Sequence, residues 1–196
     1  MTKEEVRWVS VNRLTVRPTD TVWDVGAGTG AVTLELARKA GDGTVYAVER
    51  KPEAVALLHE NRIKLGGYNV KIIKGPAPEA LENLPAPDCV FVGGSGGRMR
   101  EILELARENK VQCIVVKDFS RFARNYIEMG TYLEQIFPFL GVRFISISDR
   151  YDSKDYKGKS SDIEVQFKGL IADFYVKDQS VKVKAAVSTR RGKGEY

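Results

Sequence analysis

The chain has 196 residues, 43% of them apolar and 29% charged, with a formal net charge of +5. That balance excludes a disordered chain and leaves room for one ordinary domain or two very small ones. No apolar run approaches the roughly 20 residues that span a bilayer, and the opening MTKEEVRW lacks the pattern of a signal peptide. The charge excess permits nucleic-acid binding without arguing for it, because much of it sits in the tail STRRGKGEY.

Thr2 and Glu5 form a capping-box pattern ahead of a helix predicted to reach about Leu14. Strand and helix then alternate almost without a break. The pattern predicts strand 21–26, helix 31–41 closed by Gly41, strand 44–49, and helix 52–67 with Pro52 in its first turn. Strands at 69–75 and 87–94 follow, then helix 98–109 and strand 111–118. Helix 124–141, ending near Pro138, leads to strand 142–149. The polar stretch 149–162 reads as an exposed loop. Beyond it Ile163, Phe167, Leu170, Ile171, Phe174 and Val181 recur at helical spacing, so a long one-sided helix is expected from 162 to about 190. This alternation implies an α/β fold, a three-layer αβα sandwich around a mainly parallel sheet.

The two cysteines, Cys89 and Cys113, lie inside apolar strand-like runs and form no metal-ligand cluster, so they read as buried free thiols of a reducing cytoplasm. His59, the single histidine, falls on a helix and reads as partly exposed and not catalytic.

DVGAGTG sits where a strand turns into a helix, the place where open α/β sheets bind ligands. Gly26, Gly28 and Gly30 make a G-x-G-x-G turn, which is neither the dinucleotide fingerprint nor a P-loop. Asp24 precedes the turn, and Glu49 ends the next strand 23 residues after Gly26. A carboxylate there can accept both ribose hydroxyls and would repel a 2′-phosphate. The set suits an adenosine ligand without a pyrophosphate.

Over residues 1–108 the stretches VWDVGAGTGAVTLELARKA, VYAVERKPEAVALLHEN, APEAL and VFVGGSGG resemble the cobalamin-pathway precorrin methyltransferases. The likeness is to the C15-methylating, decarboxylating enzymes and to the matching half of precorrin-6Y C5,15-methyltransferase. It implies a class I Rossmann-like core that binds S-adenosylmethionine or S-adenosylhomocysteine. By that likeness Asp24, Gly26, Gly28, Gly30 and Glu49 form the cofactor site, Pro76 and Ala77 lie against the adenine, and GGSGG (93–97), beginning with Gly93 and Gly94, floors the space between cofactor and tetrapyrrole. Many class I methyltransferases carry an acidic residue where Pro76 stands, which leaves adenine recognition here to backbone groups.

From about Arg98 the likeness changes. CIVVKDFSRFARNYIEMG, then VRFISISDRYDS and FKGLIADFYVKD, resemble the catalytic domain of transposon-borne serine recombinases, the resolvase/invertase superfamily. The resemblance implies that Arg121 and Arg124 contact a scissile phosphate, and that the final helix contributes to a homodimer and lies along DNA. The recombinase nucleophile, a serine in a Tyr-x-Arg-x-Ser setting on that family's first strand, has no counterpart, because the methyltransferase-like half stands in its place. Strand exchange is therefore not expected, and any DNA binding would be weak.

The later strands of the methyltransferase pattern are replaced in turn, so a chain that binds the cofactor with little or no catalysis is expected, the alternative being an active methyltransferase on a tetrapyrrole or another acceptor. The chain reads as a single α/β domain in two segments, 1–108 and 109–196, joined near helix 98–109, as in an engineered chimera. Both parents build parallel sheets from right-handed βα units, so the expected strand order is 3-2-1-4-5-6.

Overall fold

A computed structural model describes residues 4–108, 111–119 and 130–156. The chain divides into two compact units, Met1–Asp155 and Tyr156–Tyr196, and the architecture below is that of the first. The expected final helix and its dimer surface lie outside the described residues.

Seven strands form one sheet: β1 (Thr21–Val25), β2 (Thr44–Glu49), β3 (Val70–Lys74), β4 (Cys89–Val92), β5 (Cys113–Val116), β6 (Arg143–Ser146) and β7 (Tyr151–Asp152). Their order is β3-β2-β1-β4-β5-β6-β7, and every pairing is parallel except β6 with β7. The first six strands stand in the order the sequence implies. Helices α1 (Glu4–Arg13), α2 (Ala31–Lys39), α3 (Pro52–Leu65) and α4 (Met99–Glu108) alternate with them. Among the described residues no helix is long and apolar enough to cross a membrane.

The central strands show why the sheet is parallel. CVFV of β4 and CIVV of β5 are buried at every position, as strands covered on both faces must be. On one face Val11 of α1, Leu14 just past its end, and Val32 and Leu36 of α2 pack with Val22, Phe91, Val115 and Ile145. Side chains alternate along a strand, so Phe144 points to the other face. There its ring stacks on Phe137 at 5.2 Å and lies 6.2 Å from Phe119. Each such buried side chain contributes roughly 2 kcal/mol from apolar area alone. Cys89 and Cys113 are register partners, and burial, the largest cause, pushes both thiols up to about 12. They behave as small apolar groups.

Two expectations are corrected. Tyr151 and Asp152, read as exposed loop, form β7 and are 7% and 2% exposed. The polar sequence is misleading because the partners of Asp152 lie far away in the chain. Arg143 holds it through two bonds, Nε at 3.1 Å and Nη2 at 2.6 Å, and Arg13 of α1 adds a third at 3.1 Å. The helix expected to stop near Pro138 instead runs on to Leu140, where Gly141 caps it with φ 68. A π-turn over Tyr132–Ile136 precedes a short helix α5 (Phe137–Leu140), and its wider hydrogen bonding accommodates a proline that has no N–H to donate.

The amino edge of the sheet binds the early and late parts of the chain together. Arg17 donates to Gln112 at 2.7 Å, Gln112 to Asp88 at 3.1 Å, and Arg143 to the Arg13 carbonyl at 3.2 Å. Asp152 is the buried centre of this edge. Burial alone would raise its carboxyl, but the hydrogen bonds from Arg143, the Lys154 amide and Arg13, with the charge of Arg143, together hold it below its ordinary value. A carboxylate lowered in the folded state stabilises above its unfolded pKa and loses that contribution as pH falls. Asp152→Asn should therefore lower the unfolding free energy at pH 7 by about 2 kcal/mol and flatten the acid limb of the stability curve, as read by urea titration between pH 3 and 7.

Candidate functional site

The sheet order reverses direction around β1, whose neighbours are β2 and β4, and a cleft opens at the carboxyl ends of these strands. The turn after β1 is tied to β2: the Gly26 and Ala27 amides donate to the Val48 carbonyl at 2.9 and 3.1 Å. Gly26 has φ +74, and a Cβ there would stand 2.6 Å from the Gly94 backbone. Only glycine fits that crossing. Gly30 is buried at the start of α2, where a Cβ would meet Leu58 Cδ1 at 2.1 Å, so its bareness serves the packing of α3. Gly93 backs onto the Gly26 carbonyl and the Phe91 ring.

Glu49, 8% exposed, lies under the cleft. Its Oε2 accepts from the Gly28 amide at 2.8 Å, and its Oε1 from the amides of Arg50 and Lys51, each at 2.9 Å. A carboxylate offers about four lone-pair sites, so one remains, on Oε2. The carboxylate thus shapes the glycine turn and still has an acceptor for a ligand hydroxyl; taking two hydroxyls would require it to release an amide.

Asp24 stands behind the turn, 1% exposed. Thr33 donates to its Oδ2 at 2.5 Å, while Oδ1 has no partner among the described residues. Burial pushes its carboxyl up to about 7, and the charge of Glu49 adds to the rise, against the lowering effect of the Thr33 hydrogen bond.

Gly26, Glu49, Pro76, Ala77 and Gly94 line the cleft, which holds about 320 Å³, while Asp24, Gly28, Gly30 and Gly93 stand outside its lining. That volume is in the range of small-molecule sites. Ser95 and Gly96 of the GGSGG turn also line it, and so do Arg50, Lys51 and Arg98, which sequence reasoning missed. Their signal was adjacency: Arg50 and Lys51 follow Glu49, and Arg98 follows GGSGG. A bare glycine floor, a spare carboxylate acceptor and the absence of a phosphate-cradling loop fit a nucleoside ligand. Among the described residues no cluster of His, Cys, Asp and Glu could hold a metal ion.

Residues 1–118 match the precorrin methyltransferase domain, and residues 92–196 match the resolvase N-terminal domain. Each match covers more than half of the chain. The chain belongs to both families. The first part is 42% identical over 120 residues to a probable cobalt-precorrin-6B C(15)-methyltransferase (decarboxylating) of Pyrobaculum calidifontis, covering 60% of this chain and 62% of that one. The Salmonella typhimurium counterpart is 40% identical over 106 residues, 54% of either chain. The chain therefore spans little more than half the length of these relatives. Among solved structures, precorrin-6Y C5,15-methyltransferase of Geobacter metallireducens is similar with a TM-score of 0.57 and 35% identity, covering 59% of this chain and 62% of that one. Precorrin-8W decarboxylase of Methanobacterium thermoautotrophicum gives 0.52 and 41%, covering 56% and 58%. The fold is thus that of the Rossmann-like methyltransferases, and the cofactor implied by the sequence, S-adenosylmethionine, is the one this membership calls for.

Every residue of the cleft belongs to the precorrin methyltransferase match, and the two matches overlap over 92–118, which holds α4 and β5. In the resolvase segment Asp149 accepts from the Phe119 amide at 2.7 Å and from Ser146 Oγ at 2.5 Å, fixing the chain just before the arginine pair. Arg121 and Arg124 themselves lie outside the described residues. His59 is exposed on α3.

Asp24 gives this site a pH dependence opposite to that of Asp152. A carboxyl raised from 3.8 to about 7 keeps its proton in the folded state after the unfolded chain has lost it, so stability is fullest below about pH 4 and declines as pH rises through about 7. Asp24→Asn should remove that decline and be more stable than the parent at pH 8, as measured by thermal unfolding across pH 5–8.

Proposed function

We propose that the precorrin methyltransferase segment binds S-adenosylmethionine in this cleft, and that the resolvase segment replaces the acceptor side, leaving little or no corrin methylation. The observation that carries the reading is Glu49: a nearly buried carboxylate, fixed by three backbone amides, with one acceptor site left under a glycine-floored cleft. A nucleoside hydroxyl is the matching donor. When bound, S-adenosylmethionine supplies an activated methyl group on sulfur; this chain contributes the ribose acceptor and the close backbone of the turn.

Support for the loss of the corrin side comes from the extent of the family matches. The methyltransferase likeness ends at residue 118, and β6 and β7 fall in the resolvase match alone. The resolvase segment likewise lacks the serine nucleophile its chemistry needs, so DNA strand exchange forms no part of the reading. Two families, each without some of its working parts, in one sheet are the mark of an engineered chimera. A second reading, methyl transfer to a different acceptor, is favoured by one fact: Asp24, Glu49 and the glycine turn are all present, so the donor half of a transferase is whole.

Titration calorimetry with S-adenosylhomocysteine tests the proposal. Wild type should bind, and Glu49→Ala should weaken binding by roughly 10- to 100-fold, the worth of a hydrogen bond to a charged group. NADP⁺, whose 2′-phosphate would face Glu49, should not compete. No heat of binding to a cooperatively folded wild type would overturn it.

A further inference from the structure

An ion pair links two of the loops that line the cleft. Glu79 lies in the short turn Glu79–Leu81, just past the lining residues Pro76 and Ala77, and Arg98 follows the GGSGG turn after β4. In the sheet β3 and β4 are separated by β2 and β1. The ion pair between Arg98 Nη1 and Glu79 Oε1 therefore joins the loop after β3 to the loop after β4, both of which contribute residues to the cleft lining.

Arg98 has a second carboxylate within reach. Its Nε lies 3.4 Å from Glu101 Oε1 on the first turn of α4. Releasing Glu79 thus leaves the guanidinium paired rather than stranded. Both side chains of the bridging pair are about half exposed, 42% and 50%, so opening it carries a small penalty. The residues before Arg98 supply the joint: Gly96 and Gly97 have φ +61 and +89, and no atom stands within 4 Å of where a Cβ on Gly97 would lie. From the other side Arg50 reaches Gly96, its Nη1 3.5 Å from the Cβ position there. The Arg98 hydrogen bond also holds the Glu79 carboxyl below its ordinary range, so the bridge persists at neutral pH.

We infer that Arg98 is a latch beside the nucleoside cleft, holding Glu79 and Glu101 together when closed and Glu101 alone when open. Glu79, Arg98 and Glu101 are positioning residues. They set how fast a nucleoside enters and leaves, and the closed state holds the Pro76–Ala77 wall against the ligand. This rests on the nucleoside reading of the cleft.

The test is surface plasmon resonance of S-adenosylhomocysteine over the immobilised full chain. Glu79→Gln should raise the association and the dissociation rate together, each about threefold. Glu101→Gln, which removes the parking partner, should slow both. The exchange Glu79→Arg with Arg98→Glu should restore slow kinetics, which a merely structural role would not produce. Wild-type binding with unaltered rates in Glu79→Gln overturns the latch alone. No binding by wild type overturns the nucleoside reading and the latch with it.

Discussion

The ladder between β4 and β5 is the constraint on which the rest of the structure depends. Cys89 to Val92 pair in unbroken register with Cys113 to Val116, and all eight residues are buried. Its second strand and the α4 crossover lie in the stretch 92–118 where the two family matches overlap, while all but the last residue of β4 falls in the precorrin methyltransferase match alone, so these backbone hydrogen bonds tie that match to the overlap. A parallel pair needs a crossover of a dozen or more residues between its strands, and α4 supplies it. Because Ile102, Leu103 and Ala106 of that helix are all buried, the crossover is itself core. The sheet can combine strands of the two family matches since a parallel strand asks only for an apolar run and a right-handed connection.

The cleft follows from the position of β1. With β2 on one side and β4 on the other, the turns leaving β1 and β4 meet at Gly26 and Gly94, and their backbones close to within less than a side chain of each other. Glu49, at the end of β2, then finds the Gly28 amide. Every residue that lines the cleft lies at or before Arg98, within the precorrin methyltransferase match. At the opposite edge, Asp152 and its arginines do for the two ends of the described chain what the cleft loops do for its first half.

The strands were legible in the sequence because buried parallel strands are short apolar runs, and their order because crossovers are right-handed. The glycine turn and Glu49 were legible from spacing. What was not legible depends on contacts between distant residues. DRYDS looks like solvent-facing loop until Arg13, 139 residues away, is placed beside Asp152. Pro138 looks like a helix end until the π-turn before it is seen. Glu49 was evident as a candidate site carboxylate, but not that three amides occupy most of its acceptor sites, since that follows from the path of the turn. Glu79 and Arg98 both sat in or beside stretches already singled out, yet their pairing follows only once β3 and β4 are known to flank β2 and β1.

One measurement tests the central claim that a single cooperative sheet spans both family segments. Native-state hydrogen exchange should show the β5 and β6 amides opening with the same free energy as those of β1 and β4, equal to that of global unfolding. Exchange of β5 and β6 through a separate opening of lower free energy, while β1 to β4 stay protected, would contradict it.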